Sequence, residues 1–85
     1  MDVATLIKNE IADIEKGQKV AEKKEIPPFV VGAFKQALEQ AKSAAKKKGK
    51  AAEWALAEAQ FLHRKANKEQ RQWMKILGKI QAKVK

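Results

Sequence analysis

The pair Pro27-Pro28 limits this chain more than any other feature. These are the only two prolines in 85 residues. Pro27 pushes Ile26 out of the helical region of backbone space, and Pro28 does the same to Pro27. A helix entering from the N-terminal side must therefore be over by about Glu25. Pro28 can open the next helix, because its missing N–H falls in a first turn that has no acceptor for it. The chain is divided into a short arm and a longer remainder, and both read as helix.

In the arm, Val3, Ile7, Ile11 and Ile14 recur at helical spacing within about 80° of arc. Asp2 is a suitable N-cap. Gly17 either ends this helix or sits inside it at a cost of about 1 kcal/mol relative to alanine. Ala21 rejoins the same stripe, which favours a helix over about residues 2–24. Beyond the prolines, Val30, Phe34, Ala37, Leu38, Ala41 and Ala45 form one stripe over 29–48, with Lys35, Lys42 and Lys46 on one flank. That helix is predicted to run out in Lys46-Lys47-Lys48, with Gly49 as the residue just past its end.

Residues 50–84 are almost all helix formers. Ala55, Ala59, Leu62, Ala66, Trp73, Leu77, Ile80 and Val84 fall within about 40° either side of one line, in the alternating three-and-four steps of a heptad. Glu69 interrupts that seam. Two readings stay open: one long helix, or a break near Ala66-Asn67 with Asn67 as N-cap and Gln70 as its box partner. No strand signal and no internal repeat is present. The expected fold is all-α, a single domain over 1–85. It is a small antiparallel bundle of three helices, the third long or split to give four. The chain has 23 large apolar side chains and 15 alanines, enough for one thin core whose small residues let helix axes approach closely.

Charge is distributed unevenly. Residues 1–28 carry six acids and five bases, net −1; residues 29–85 carry four acids and fourteen bases, net +10. So positive a field on so small a body attracts polyanions: nucleic acid, an anionic membrane or an acidic protein face. Seventeen of the bases are lysines against two arginines. Arginine supplies most bidentate reading of guanine and carboxylate, so a lysine coat suits diffuse attraction. The phosphate-binding candidates are Lys46, Lys47, Lys48 and Lys50 at the corner between the second and third helices, with Lys42, Arg64, Lys68 and Arg71 as wings. A purely structural account of the corner is also open, since lysines in a last turn complement a helix dipole.

Trp54 and Phe61 lie about 100–120° round from the apolar line of the third helix, on a shoulder shared with Lys50, Lys65, Lys68 and Lys79. Aromatic rings among lysines suit base stacking or interfacial membrane contact. The alternative is a second core contact, with both rings facing the first or second helix. Residues 72–85 form a basic amphipathic stretch whose apolar members are Trp73, Ile76, Leu77, Ile80 and Val84. If the third helix continues past residue 66, its C-terminal half is expected to overhang the other two. A homodimer through 69–84, an acidic protein partner or an anionic membrane surface would then cover it.

Nothing in the chain points to catalysis. It has one serine, one threonine, one histidine and no cysteine or tyrosine, so no nucleophile–base pairing is supported. His63 has no second ligand at i±4 to make a metal face and reads as a boundary residue. No cofactor-binding motif is present. Two runner-up functions stand beside nucleic-acid association: a protein-interaction module and peripheral membrane binding through 72–85. The start Met1-Asp2-Val3 lacks a basic n-region and apolar core, and no run of about 20 apolar residues exists to span a bilayer. These features lead to the expectation of a soluble, cytoplasmic protein.

Overall fold

A computed structural model describes residues 2–24 and 26–84, which contain three α-helices: α1 (Val3–Lys23), α2 (Pro28–Ala45) and α3 (Gly49–Val84). The fold is the all-α three-helix bundle expected from the sequence. Ile7, near the start of α1, shares a core cluster with Ala44 at the end of α2 and Ala52 at the start of α3, so the path is up, down and up. The body measures 54 × 20 × 16 Å. Its long dimension is the length of α3, whose 36 residues rise about 54 Å.

Local chemistry sets the helix ends. The Asp2 carboxylate accepts a hydrogen bond from the Thr5 backbone N–H at 2.8 Å and caps α1. Bonds from Thr5, side chain first and backbone second, hold its pKa below the usual carboxylate value. The cap is therefore complete above the ordinary carboxylate range and is lost as pH falls through the lowered value. At the proline pair, Pro27 is extended (φ −50°, ψ 142°) and Pro28 takes the first helical position. Glu25, the expected limit of α1, lies outside the described residues; the helix itself closes at Lys23, one residue short of the expected end.

Two expectations for α2 are corrected. It stops at Ala45, not Lys48. The N–H groups of Lys46 and Lys47 turn back to the carbonyls of Ser43 and Ala44 at 3.1 Å each, tightening the last turn and releasing the chain early. Lys46-Lys47-Lys48 is therefore the connection itself. Gly49 is the first residue of α3, with φ 61°, a left-handed conformation that glycine adopts without penalty. The last interior residue of α2 is Ala44, while Ala45 is exposed.

The core runs as one seam. Ile14, Ala21, Ile26, Val30, Phe34, Ala37, Ala41, Ala59 and Ala66 form its larger cluster. α2 and α3 share the most extensive interface, and α1 leans chiefly on α2. Alanines at 37, 41, 59 and 66 explain the close approach of α2 to α3. Gly17 does the same for α1 and α2. It lies inside α1, and a Cβ placed there would stand 2.6 Å from the Phe34 ring. The bare backbone is the surface on which that fully buried ring rests.

α3 is unbroken. Ala66 is fully buried and Asn67 lies mid-helix, so the split near Ala66-Asn67 is not adopted. Gln70, not Glu69, is the polar residue turned inward here; it is buried, and its Nε2 has no hydrogen-bond partner among the described residues.

Two glycine substitutions separate packing from helix propensity. Gly17→Ala should lower stability by about 1–3 kcal/mol, because overlap with Phe34 outweighs the helical gain. Gly78→Ala meets nothing within 4 Å and should raise stability by about 0.5–1 kcal/mol. Urea denaturation followed by circular dichroism reads both; a stabilised Gly17→Ala protein would contradict the ring-on-backbone contact.

Candidate polyanion interface

The candidate residues lie on one end and one side of the bundle. The end is the corner where α2 hands over to α3. Lys42 lies in the last turn of α2, Lys46-Lys47-Lys48 form the connection, and Lys50 follows in the first turn of α3; all five are exposed. Lys47 and Lys48 also rim a cavity of about 270 Å³ floored by Val3, Ile7 and Ala52. The first turn of α3 has no acidic residue, so its free N–H groups add to the positive field. The negative end of α2 is close by and opposes this, with Lys42 and Lys46 placed to offset it.

The side is the solvent face of α3. At 100° per residue, Lys50, Arg64, Lys68 and Arg71 fall within about 60° of one another on the face opposite the core. Arg64, Lys68 and Arg71 are exposed. They extend from the corner down the helix rather than clustering round it, spanning about 30 Å from Lys50 to Arg71. Among the described residues the one contact of ion-pair length is His63–Glu10, so none of these cations has a carboxylate within 4 Å.

Of the two readings open for Trp54 and Phe61, the core contact is not adopted. Neither ring packs on α1 or α2: Trp54 is 76% exposed and Phe61 69%. The physical reason is where α1 lies. It covers the flank of α3 that carries Ala52, Leu56 and His63, while α2 covers the flank that carries Ala55, Leu62 and Trp73. Leu56 and Ala52 belong to the cluster with Ile7 of α1. The two neighbours occupy adjacent flanks of α3, which leaves its back open. The signal for the α1 contact was present in the chain as Ala52, Leu56 and His63 at four- and seven-residue steps, but a histidine in that row obscured it.

His63 is part of the scaffold. Its Nδ1 lies 2.7 Å from Glu10 Oε1, both side chains largely covered, and its ring meets Phe34 edge-on at 6.1 Å. An ionised carboxylate can only accept, so Nδ1 donates. The contact ties α1 to α3 across the Phe34 ring.

The partner-binding candidates divide. Trp73 and Leu77 are half-buried against the main core cluster, and Trp73 makes an edge contact with Phe29 at 5.7 Å. Ile76, Ile80 and Val84 are exposed. The apolar line of α3 thus stays covered as far as Leu77 rather than parting from the bundle near residue 66, because Phe29 and Ile26 extend the cover provided by the other two helices. Among the described residues no helix is long and apolar enough to cross a membrane. No family model, curated protein or solved structure matches the chain.

The His63–Glu10 contact yields a direct check. A double-mutant cycle of Glu10→Ala and His63→Ala should give a coupling of about 0.5–1.5 kcal/mol in unfolding free energy. A coupling of zero would mean that the two side chains do not meet in solution.

Proposed function

We propose that this chain is a small, basic, non-enzymatic binding protein that associates with nucleic acid through lysine-rich electrostatic contacts. The observation that supports this most is two groups of exposed cations, Lys42 to Lys50 at the α2–α3 corner and Arg64 to Arg71 on the back of α3, with the uncovered Trp54 and Phe61 between them. Phosphates would meet Lys42, Lys46, Lys47, Lys48 and Lys50 at the corner and Arg64, Lys68 and Arg71 along the helix. Among the described residues no short second helix with polar base-reading residues follows a tight turn, so recognition is weakly specific and dominated by the backbone charge.

Such binding must weaken steeply with salt, since each neutralised phosphate releases its condensed counterions. Fluorescence anisotropy with a labelled oligonucleotide should show affinity falling by orders of magnitude between low and physiological salt. Replacing Lys46, Lys47 and Lys48 with glutamine should reduce the slope of log K against log salt by about two to three. Affinity that stays flat with salt would sink the proposal.

A second reading is favoured by the overhang. Ile80 is 51% exposed and Val84 80%, and every charged residue after Glu69 is basic. That face suits an acidic amphipathic helix. Self-association there would bring Lys83 of each copy, which borders that face, close to its counterpart in a tip with no acid after Glu69, so dimerisation would strengthen as salt rises, opposite to nucleic-acid binding. Light scattering across a salt series separates the two; a strict monomer at every salt concentration would eliminate the homodimer. Co-sedimentation with anionic vesicles tests the membrane alternative for residues 72–85, and failure to sediment would remove it.

A further inference from the structure

Resting on the nucleic-acid reading above, we infer that Trp54 and Phe61 are stacking positions for the bases of a single strand, which makes unpaired DNA or RNA, and not the duplex, the preferred ligand of this face.

The fold makes no use of either ring. Both stand outside the two core clusters, and burying rings of this size would stabilise a bundle by about 1.5–3 kcal/mol each. Phe29 is also exposed, but its edge contact with Trp73 accounts for it. Trp54 and Phe61 have no such partner among the described residues.

Their placement fits a strand. Seven residues apart on one helix, they sit on nearly the same line, about 10 Å apart along the axis. That is about three phosphate spacings of a stacked strand. Lys50 precedes Trp54 by one turn, Lys65 follows Phe61 by one turn, and Lys68 comes next. Lys50 to Lys68 spans about 27 Å, or about eight phosphate spacings, within the footprint of known single-strand binders.

Trp54 also joins the two parts of the interface. It borders an open depression of about 540 Å³ on its α2 side, which Lys47 borders as well. On its other side it borders a second depression, of about 400 Å³, with Lys50. A base lying on the indole would have a lysine on each side for its flanking phosphates. Each depression also carries one carboxylate, Glu58 in the larger, where it accepts a hydrogen bond from Gln40 Nε2 at 3.0 Å, and Glu53 in the smaller, so the lysines beside Trp54 act against one acid on each side.

A duplex gains little here. Its base faces are hidden in the stack, and a convex helix bearing protruding rings holds the lysines away from its phosphates. A single strand offers both faces and phosphates, and stacking tolerates any base. An acidic protein could also cover the rings, and the test distinguishes it.

The test compares a labelled 20-nucleotide oligo-dT with a labelled 20-base-pair duplex by anisotropy at one low salt concentration. The wild-type protein should bind the strand more tightly. Trp54→Ala and Phe61→Ala should each weaken strand binding by about 5- to 100-fold, leave duplex binding within about twofold and leave the salt slope unchanged. Trp54→Phe should restore much of the loss. In a Trp73→Phe background, where Trp54 is the only tryptophan, oligo-dT should quench the indole emission. Both alanine variants should retain the wild-type circular dichroism, since neither ring is buried. If strand and duplex bind and the alanine variants weaken both equally or neither, the stacking assignment falls while the nucleic-acid reading stands. If the wild-type protein binds neither at low salt, both fall.

Discussion

The Phe34 ring lying on the bare backbone of Gly17 is the contact on which the bundle depends. It brings α1 within reach of α2 at mid-length and places a fully buried aromatic at the centre of a body otherwise packed with alanine. The same ring meets His63 of α3 edge-on, so one side chain touches all three helices. A core this thin has few alternatives. Chains of this size bury only about 60% of their unfolded surface, and here the large fully buried side chains are Phe34, Ile14 and Val30.

From that packing follows the exposure of α3. Two short helices can cover only two flanks of a third, and α3 is longer than either. Its back and its last turns therefore remain in water. The back carries Lys50, Trp54, Phe61, Arg64, Lys65 and Lys68; the tip carries Ile76, Ile80 and Val84. Both surfaces follow from the same arithmetic of helix number and length. They differ in chemistry: the first mixes cations with aromatic faces and suits a strand of phosphates and bases, while the second is aliphatic with a basic border and suits another helix.

Much of the fold was legible in the chain. Pro27-Pro28 set the first boundary, and the stripes through Ile7, Ile14 and Ala21, through Val30, Phe34 and Ala37, and through Ala59 and Ala66 all turned inward. The stop of α2 was misread, because lysines and a glycine look alike as a last turn and as a connection; backbone hydrogen bonds from Lys46 and Lys47 decided it. The overhang was placed too early, because the reach of Phe29 toward Trp73 depends on where α2 sits against α3. The lysines of the proposed interface were all identifiable from the sequence, while the choice between exposed and buried for Trp54 and Phe61 was not.

The sequence alone determined three helical rods, the line along which each is apolar, and the angle at which Trp54 and Phe61 leave that line. These are properties of one helix and follow from its 3.6-residue period. Only the tertiary structure decided which flank of α3 each neighbour would cover. That choice depends on contacts between separate segments, Leu56 with Ile7 and the Glu10–His63 bond among them, which no single helix's periodicity encodes. Because α1 took the flank of Leu56 and His63, the two rings were left in solvent beside the lysines.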